Sequence, residues 1–428
     1  MSNSNISSNT KTPFGKLLFG MLIGQSTYTM ATVIPLAILL TFKFLEIDPQ
    51  NVTVDFSLAS GVGALVGVIF NYIGGAISDR TTFFFGRRRT WILIGSAIGA
   101  ASLMGIALTK SVTMVVVFWS IGLASYSTSF AAYSALFSDQ VEEKRRGTAS
   151  GVIGLFNPVA ILVGMVILTA LNNLNLTTKY GVVAAISLIG ALITCILVKD
   201  APIKQYISNK DSNNSTFGEK LSKFYPSPKK YPAFTWGVIT RLLVCTAFAS
   251  QVYATLYFMQ KFNIPQEEVT GVATLNSLIQ TIGLGVSAIL GGMLSDKFRK
   301  QKPFVAGAAV IVAIGVFVAA IAPTVQVVFI GTGILGFGYG AYIAVDMALI
   351  ARILPNPQDA AKDFGIMNIA GQLPQSIVPV VAPALIGAGG FTLLYGVLAV
   401  TGLLSAAAVA PIPEMSSKPI EEVVAGQN

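Results

Sequence analysis

Residues 74–91 read GGAISDRTTFFFGRRRTW, and residues 291–304 read GGMLSDKFRKQKPF. In each stretch a glycine stands four residues before an aspartate, and the two aspartates, Asp79 and Asp296, lie 217 positions apart. Each stretch follows a long apolar run, and basic residues follow each aspartate. Weak internal similarity of this kind indicates an internal repeat, so the sequence predicts two related halves.

The apolar runs around these stretches are long enough to cross a membrane. Of the 428 residues, 53% are hydrophobic and 11% are charged, whereas soluble domains carry about 25% charged residues. A membrane-spanning helix needs about 20 residues, and on that rule we count twelve runs in two groups of six. The sequence therefore predicts an all-α membrane protein with twelve transmembrane helices in two pseudosymmetric six-helix bundles.

A polar stretch separates the two groups of apolar runs. The predicted spans are 16–42, 56–78, 90–109, 112–137, 148–171 and 180–198 in the first group, and 234–260, 268–294, 303–322, 325–351, 364–388 and 391–411 in the second. The expected domains are a tail over 1–15, a bundle over 16–198, a linker over 199–232, a second bundle over 233–411 and a tail over 412–428.

Lysine and arginine fall mainly on one side of these spans. With both termini inside, 23 of the 28 basic residues lie in the tails and the even-numbered connections. Of the other five, Arg241 lies within a predicted helix, and four lie in the odd-numbered connections, namely Lys43, Lys110, Lys179 and Lys261. Basic loops stay cytoplasmic, so we expect a multi-pass plasma-membrane protein with both termini and the linker in the cytoplasm. The net charge of +9 is then a topology signal and indicates no nucleic-acid partner.

The composition also disfavours most kinds of enzymatic catalysis. The chain has no histidine, and its two cysteines, Cys195 and Cys245, lie inside apolar runs. Neither a metal site nor a disulfide framework is expected from such a set. The sequence shows no nucleotide-binding loop and no soluble sensing domain. We therefore expect neither an enzyme nor a cofactor.

A second repeat supports the division into halves. Two triplets with the spacing i, i+3, i+7 lie 213 positions apart, and this spacing places each triplet on one helical face. The triplets are Tyr126, Ser129 and Tyr133 in the fourth span, and Tyr339, Tyr342 and Asp346 in the tenth. Repeated six-helix halves are typical of transporters, in which the halves rock around a shared site.

Around residues 75–91 the sequence resembles the major facilitator superfamily, whose signature after the second helix has a glycine, an aspartate and a Gly-Arg-Arg cluster. The long spacing from Asp79 to Gly86 looks like that of the glycoside, pentoside and hexuronide: cation symporters and the related sucrose-proton symporters. The resemblance covers the whole chain. It implies the major facilitator fold, a monomer in the lipid bilayer, and secondary active transport of a small molecule by alternating access.

The resemblance also implies a gating motif at the end of the second span and its copy. The matching residues are Gly75, Asp79, Arg80, Gly86, Arg87 and Arg88, with Gly292 and Asp296 in the second half. Asp79 is placed to accept hydrogen bonds from a helix N-terminus and to pair with an arginine, which would hold the cytoplasmic side closed. The alternative is that the arginines only fix the orientation in the membrane. Connection carboxylates such as Asp139 and Asp363 are expected on solvated faces and as interdomain latches.

Two ionisable residues, Arg241 and Asp346, are predicted well inside spans. A charge at this depth costs several kcal/mol, about 2.5 to 3.5 on insertion scales, unless it is paired or hydrated. Both residues lie one to three turns from the predicted cytoplasmic ends of their helices, so we expect an ion pair. Since arginine stays charged, Asp346 is the candidate for proton coupling. A static pair that tethers two helices remains an alternative, and so does an Arg241 that binds an anionic substrate.

Polar and aromatic residues at helical spacing suggest the rest of a substrate cavity. Amides and phenols need partners inside a membrane, and a sugar offers hydroxyl groups together with an apolar ring face. The candidate substrate-binding residues are Gln25, Tyr28, Tyr126, Tyr133, Asn276, Gln280, Tyr339, Tyr342, Asn368 and Gln372. Each of them equally fits a hydrogen bond between helices.

The resemblance favours proton-coupled symport of a sugar, a glycoside or a similar polar solute. The melibiose-type members use paired carboxylates on helix 2 for sodium or proton coupling. At these positions this chain has Asn71 and Gly67, so a sodium site of that kind is not expected. The first rival is proton-coupled efflux of drugs or metabolites. The fifth span reads GLFNPVAILVG over 154–164 and lacks the Gly-Pro-rich stretch of drug antiporters. This difference makes efflux the less favoured function.

Overall fold

The computed structural model describes residues 12–83, 85–200, 226–298, 301–354 and 360–412. Within these ranges the chain is helical, and eleven helical runs are long and apolar enough to cross a membrane. Most of the predicted linker and of both predicted tails lies outside the described residues. The predicted boundaries of the domains therefore stay predictions.

The difference between eleven runs and the twelve predicted spans arises at the end of the chain. The predicted spans 364–388 and 391–411 fall in one run, Asp363–Ala408. Inside this run Gly389 and Gly390 leave the helical conformation, and Gly390 has a φ of 65°. Glycine adopts positive φ at no steric cost, so this pair of residues separates two helical segments without a loop.

The described residues divide into two compact units, and helices α10 and α14 contribute to both. The first unit comprises 12–200, 251–278 and 375–387, and the second comprises the described residues of 226–250, 279–374 and 388–412. The first seven helices are α1 (Phe14–Ile34), α2 (Leu40–Ile47), α3 (Val52–Arg80), α4 (Arg87–Leu108), α5 (Val112–Gln140), α6 (Glu143–Ala170) and α7 (Leu176–Leu197). The other seven are α8 (Pro232–Phe248), α9 (Ala254–Lys261), α10 (Gln266–Phe298), α11 (Lys302–Ile321), α12 (Val325–Ile353), α13 (Ala360–Gln372) and α14 (Pro374–Ala408).

The first span of the chain is broken by a π-turn at Pro35–Leu39, which separates α1 from α2. Proline lacks the N–H that would continue the α-helical ladder, and single π-turns of this kind are common where a helix is interrupted. Because α2 continues to Ile47, Lys43 lies inside a helix and is 2% exposed, not in the connection where the sequence placed it. Its ammonium group donates to the carbonyl of Ala107 at 3.1 Å and to Glu46 at 3.3 Å, which compensates for its burial.

The seventh span contains a comparable break. A 3₁₀ turn at Ala249–Tyr253 separates α8 from α9. In the first unit, Tyr253 shares a 2.7 Å hydrogen bond with Ser57, and Thr255 donates to the carbonyl of Ala37 in the π-turn at 2.5 Å. The first unit thus packs α9 against α3 and against the interruption in the first span.

The internal repeat is visible in how helices touch. A Cβ on Gly74 of α3 would lie 2.7 Å from the Cα of Thr128 on α5. A Cβ on Gly291 of α10 would lie 3.0 Å from the Cα of Ala341 on α12. These pairs are related by the same offsets, 217 and 213, that relate the sequence motifs. In both units a small residue therefore lets the equivalent two helices approach at backbone distance.

Candidate functional site

The predicted ion pair between Arg241 and Asp346 is present in the second unit. Nη1 of Arg241, on α8, lies 2.9 Å from Oδ2 of Asp346, on α12. The side chains are 18% and 7% exposed, respectively. In the five other ion pairs among the described residues, the carboxylate is at least 37% exposed. This pair therefore differs from the rest in holding a deeply buried carboxylate.

Aromatic residues surround the pair. The hydroxyl group of Tyr342 donates to Oδ1 of Asp346 at 2.8 Å, so each carboxylate oxygen has one donor. The Tyr339 hydroxyl lies 3.8 Å from Sγ of Cys245 on α8. We refer to Arg241, Cys245, Tyr339, Tyr342 and Asp346 as the Arg241–Asp346 cluster. It joins one face of α8 to one face of α12, as the triplet spacing in the tenth span predicts.

The chemistry of this cluster depends on the charge of one carboxylate. Ionised Asp346 neutralises Arg241, and the buried pair has no net charge. A protonated Asp346 keeps an acceptor for Tyr342 and gains an O–H donor, so both protonation states can be hydrogen-bonded in place. Arg241 stays charged in either state. The cluster can therefore release the positive charge of Arg241 when Asp346 takes a proton.

The other predicted substrate-binding residues of the second unit lie on α10 and α13 and differ in their burial. The Nε2 atom of Gln280 on α10 is buried and has no hydrogen-bond partner among the described residues. Asn368 and Gln372 lie one turn apart on α13, and both are exposed. Gln280 therefore carries an unsatisfied donor, and the two α13 amides are accessible.

In the first unit the predicted tyrosines are occupied by contacts between helices. Tyr126 shares a 2.9 Å hydrogen bond with Ser187, and the hydroxyl of Tyr133 donates to Thr194 at 3.5 Å, with both partners on α7. Both tyrosines are 1% exposed. This geometry matches the alternative in which they connect helices, because their hydroxyl groups are already bonded.

Three more candidates of the first unit keep some capacity for a ligand. Tyr28 on α1 is half-buried, and its ring stacks on Phe130 with centroids 5.1 Å apart. Gln25, one turn earlier, is buried. Oδ1 of Asn276 on α10 is buried and has no hydrogen-bond partner in the described part of the chain. Asn276 thus resembles Gln280 in carrying an unsatisfied polar atom.

The predicted gating motif forms a network centred on Arg88. Its Nη2 lies 2.6 Å from Asp79, its Nε lies 3.0 Å from Asp139, and its Nη1 donates to Ser78 at 2.9 Å. The side chain is 4% exposed, whereas that of Asp79 is 62% exposed. Arg87 also reaches Asp139, at 2.6 Å. Of the three consecutive arginines, Arg88 is the one that joins the ends of α3, α4 and α5.

The helix N-terminus beside this network is capped by a residue that the sequence analysis did not identify. Oδ2 of Asp200 accepts the backbone N–H groups of Arg88 and Arg89 in the first turn of α4. Asp79 was expected both to cap a helix and to pair with an arginine. It pairs with the side chain of Arg88, and Asp200 provides the cap. The only signal in the sequence was an isolated aspartate in the run VKDAP at 198–202.

Gly86 makes this arrangement possible. It precedes α4 with a φ of 116°, a conformation that favours glycine. A Cβ on Gly86 would lie 2.7 Å from Oδ2 of Asp200. The motif therefore needs a glycine here both for its backbone conformation and for the close approach of the capping carboxylate.

The remaining motif residues have less defined roles. Arg80 is exposed, and Gly75 faces Ala131, with 4.0 Å between its Cβ position and the Cβ of that alanine. Gly292 lies half-buried on α10. Asp296 also belongs to α10, but its side chain lies outside what the structure describes.

The expectation of solvated faces holds for one connection carboxylate and fails for another. Asp139 lies at the end of α5 and binds Arg87 and Arg88. Asp363, in the first turn of α13, is fully buried. The exposed Asp139 fits the expectation. Asp363 does not fit it, because α13 begins before the predicted span and this carboxylate is buried in its first turn.

Comparison with known proteins places the chain in a family. Residues 17–279 and 238–425 match the family model of the Major Facilitator Superfamily. The probable nitrate/nitrite transporter NarK2 of Mycobacterium tuberculosis is 24% identical over 351 residues, which cover 79% of this chain and 81% of that protein.

Solved structures support the same fold. A peptide transporter, POT, in complex with alafosfalin aligns with a TM-score of 0.72 at 15% identity, covering 94% of this chain and 96% of that one. A D-xylose-proton symporter aligns with a TM-score of 0.69 at 17% identity, covering 95% and 98%. The predicted fold class is confirmed, and the protein is a multi-pass membrane transporter that belongs to the major facilitator superfamily.

Proposed function

We propose that the protein is a proton-coupled symporter of a small polar solute, in which Asp346 carries the proton. The observation behind this proposal is the buried Arg241–Asp346 pair, with Tyr342 bonded to the second carboxylate oxygen. A buried carboxylate that is hydrogen-bonded whether ionised or protonated is suited to taking up and releasing a proton. Intramembrane ionisable residues of this kind commonly serve proton relays.

Proton uptake would act on the rest of the site through Arg241. When Asp346 is neutral, Arg241 loses its counter-charge and becomes available to the substrate or to another conformation of the protein. The proposed cycle couples solute movement to this change while the site alternates between the two sides of the membrane. A static tether between α8 and α12 remains the competing explanation for the same pair.

The resemblance of the motif favours a sugar or glycoside as the solute. The alternatives are proton-coupled efflux of drugs or metabolites, and transport of an organic anion bound by Arg241. Asn276 and Gln280 support a polar solute, because each has a buried polar atom without a hydrogen-bond partner in the described residues. A buried unsatisfied amide is costly, and a bound hydroxylated or charged solute would satisfy it. We propose Asn368 and Gln372, which belong to the second unit together with Gln280, as further contacts.

The Arg88 network is proposed to stabilise the cytoplasmic ends of α3, α4 and α5 as one rigid element. Its contacts lie within the first unit, and they involve three acceptors on two other helices. We propose the cytoplasmic side for this network from the distribution of basic residues. A rigid end of this kind would keep the helices together while the transporter changes conformation.

Proton coupling is tested by transport into liposomes. The purified protein is reconstituted, and uptake of radiolabelled nitrate, lactate, sucrose and xylose is measured with and without an inward proton gradient. We expect at least one of these solutes to accumulate only with the gradient. Asp346→Asn should abolish that accumulation but preserve exchange between equilibrated vesicles, because exchange needs only a permanently loaded carrier.

The matched control is Asp55→Asn. Asp55 is also an aspartate of a spanning helix, but it lies half-buried in the first turn of α3. This variant should retain gradient-driven accumulation. Full proton-driven accumulation by Asp346→Asn would show that the coupling residue lies elsewhere and would favour the static tether.

A further inference from the structure

Lys179 is a buried cation without an anionic partner. It lies in the first turn of α7 and is 6% exposed. Its ammonium group takes part in no ion pair or hydrogen bond among the described residues, and Nζ lies 5.6 Å from the centre of the Phe42 ring. The buried Lys43 differs, because Glu46 and the carbonyl of Ala107 compensate for its charge. Burial of Lys179 is therefore costly unless a further group pairs with it.

The position of Lys179 within its helix adds to this cost. The N-terminus of a helix carries a partial positive charge that favours acidic residues, and the first turn of α7 has none. The first turn of α10, by contrast, contains two glutamates. The N-cap side chain of α7 accepts the backbone N–H of Thr178, whereas those of Leu176 and Thr177 have no partner in the described part of the chain. The start of α7 thus combines a buried cation with two unsatisfied donors.

These groups border an open cavity in the first unit. The cavity has a volume of about 310 Å³, and its lining includes Lys179, Leu176, Phe42 and Gln266, the first residue of α10. We refer to it as the Lys179 cavity. A second cavity of about 380 Å³ shares Leu176, Phe42 and Gln266 with it and extends to Thr177. The Lys179 cavity is about ten times as large as the volume of one water molecule, so it has room for a small anionic group.

Two carboxylates also border these cavities, and each has its own compensation. Glu46 pairs with Lys43 at 3.3 Å. Glu267 is exposed in the first turn of α10, where the helix terminus offsets a negative charge. Neither forms an ion pair with Lys179. Lys179 and the start of α7 therefore leave an excess of positive charge in this part of the first unit.

We propose that the Lys179 cavity binds a phosphate group. The ammonium group of Lys179 and the N–H groups of Leu176 and Thr177 are donors on different atoms, and a phosphate offers several acceptor oxygens in a tetrahedral arrangement. Lysine binds phosphate as a point charge, and helix N-termini are common phosphate sites. A bound phosphate would neutralise the lysine and satisfy the start of α7. This site belongs to the first unit, whereas the Arg241–Asp346 cluster belongs to the second.

The phosphate group has two possible sources with the same chemistry. A phospholipid carries its phosphodiester at the boundary between polar headgroups and hydrocarbon. Lys179 lies at such a boundary, because the apolar Leu171 and Val182 also adjoin it. A free phosphate compound would instead enter from water through the open side of the cavity. The same donors bind the phosphate in either case.

Thermal unfolding of the purified, delipidated full-length protein in detergent tests this proposal. The probes are sodium phosphate, glycerol 3-phosphate, dioleoylphosphatidylglycerol and dioleoylglycerol, which lacks phosphate, with sodium chloride added to equal ionic strength. We expect dioleoylphosphatidylglycerol to raise the melting temperature and dioleoylglycerol to leave it unchanged. An equal effect of either soluble phosphate would identify a free phosphate ligand, and no effect of both would identify the lipid headgroup. If no phosphate-bearing probe stabilises the protein, the proposal is wrong.

Lys179→Gln removes the cation and is compared with Lys110→Gln. Lys110 also lies in a predicted outer connection, but it is exposed. Lys179→Gln should lower the affinity for the stabilising probe at least tenfold. Without a phosphate probe its melting temperature should equal or exceed that of the wild type, because an uncompensated buried charge has been removed. Lys110→Gln should bind as the wild type does. Unchanged affinity in Lys179→Gln would overturn the proposal.

Leu176→Pro removes one backbone donor and keeps the charge. Leu176 is the first residue of α7, where proline is well tolerated, and the backbone of Asn175, with a φ of −64° and a ψ of 158°, suits the residue before a proline. We expect phosphate affinity to fall several-fold. Val112→Pro is the matched control, because it begins α5 after the extended Ser111, and it should bind as the wild type does. Equal affinities in the two variants would show that the start of α7 does not bind the phosphate.

Discussion

Asp200 accepts the backbone N–H of Arg88 at 2.5 Å, across 112 positions of sequence. Its Oδ2 also accepts the N–H of Arg89 at 3.1 Å. These are the second and third residues of α4, whose N–H groups have no partner within the helix. Gly86 precedes the helix and has no side chain to cap it, so Asp200, just after the sixth span, provides the cap that is usually local.

Replacement of Gly86 should therefore destabilise the protein. Gly86→Ala places a Cβ 2.7 Å from Oδ2 of Asp200 and forces alanine into a φ of 116°. We expect a loss of about 1 to 3 kcal/mol, from backbone strain together with the loss of the cap. Thermal unfolding in detergent measures the effect. Gly151→Ala, where a Cβ meets nothing within 4 Å, is the control, and equal melting temperatures for the two variants would contradict this account.

Arg88 and Arg87 should differ sharply when each is changed to lysine. Arg88 bonds to Ser78, Asp79 and Asp139 and is nearly fully buried. Lysine cannot reach three separate acceptors with a planar fork, so Arg88→Lys should lower the melting temperature and the transport rate more than Arg87→Lys. Transport assays in liposomes and thermal unfolding test this. If the two variants behave alike, the arginines act only as positive charges that orient the spans.

Asp79→Asn probes the exposed end of the same network. It removes the charge that faces Nη2 of Arg88 but keeps an oxygen acceptor. Because Asp79 lies outside the Arg241–Asp346 cluster, we expect substrate affinity to stay within a few-fold while transport slows. The measurement is equilibrium binding compared with transport rate in the same preparation. A variant that folds normally but no longer binds substrate would make Asp79 a substrate ligand.

The Arg241–Asp346 pair should show strong thermodynamic coupling. Removing one partner leaves the other charge buried and uncompensated, at a cost of about 3 to 5 kcal/mol. The double variant Arg241→Gln with Asp346→Asn should therefore be less destabilised than the sum of the two single variants. Thermal or denaturant unfolding of all four proteins measures the coupling. Additive effects would show that the pair does not contribute to stability.

Topology is predicted from the basic residues and is tested by labelling. Single cysteines placed near Lys210 and near Glu267 should react with an impermeant thiol reagent from opposite sides of the membrane. Glu267 is exposed in the first turn of α10, and Lys210 belongs to the predicted linker, outside the described residues. Labelling of both positions from outside would reverse the proposed orientation.

The sequence alone predicts the features that depend on composition and on the spacing of apolar and charged residues. The apolar runs locate the spans, and the offset between Asp79 and Asp296 identifies two halves whose helix contacts are indeed equivalent at Gly74 and Gly291. The pairing of Arg241 with Asp346 was predictable because two opposite charges at similar depth have few other ways to be compensated.

Features that depend on neighbouring helices were not predictable in this way. A helical face can be read from spacing, but the partner helix cannot. The sequence therefore left open whether Tyr126 and Tyr133 line a cavity or bond to another helix, and in the structure both bond to α7. Three consecutive arginines look alike in a sequence, and only the packing of α3 and α5 makes Arg88 the buried one. Asp200 escaped notice because its backbone partners lie more than a hundred positions away.

The π-turn at Pro35–Leu39 fixes the angular phase between the two parts of the first span. A π-turn holds one residue more than an α-helical turn, and each residue advances an α-helix by about 100°. The face of α1 that carries Gln25 and Tyr28 is therefore rotated relative to α2 by the presence of a single extra residue. Deletion of one residue within 36–39 would remove the extra residue and rotate α1 and α2 by about 100° relative to each other. A single residue in the middle of the first span thus sets the orientation of α1 relative to α2.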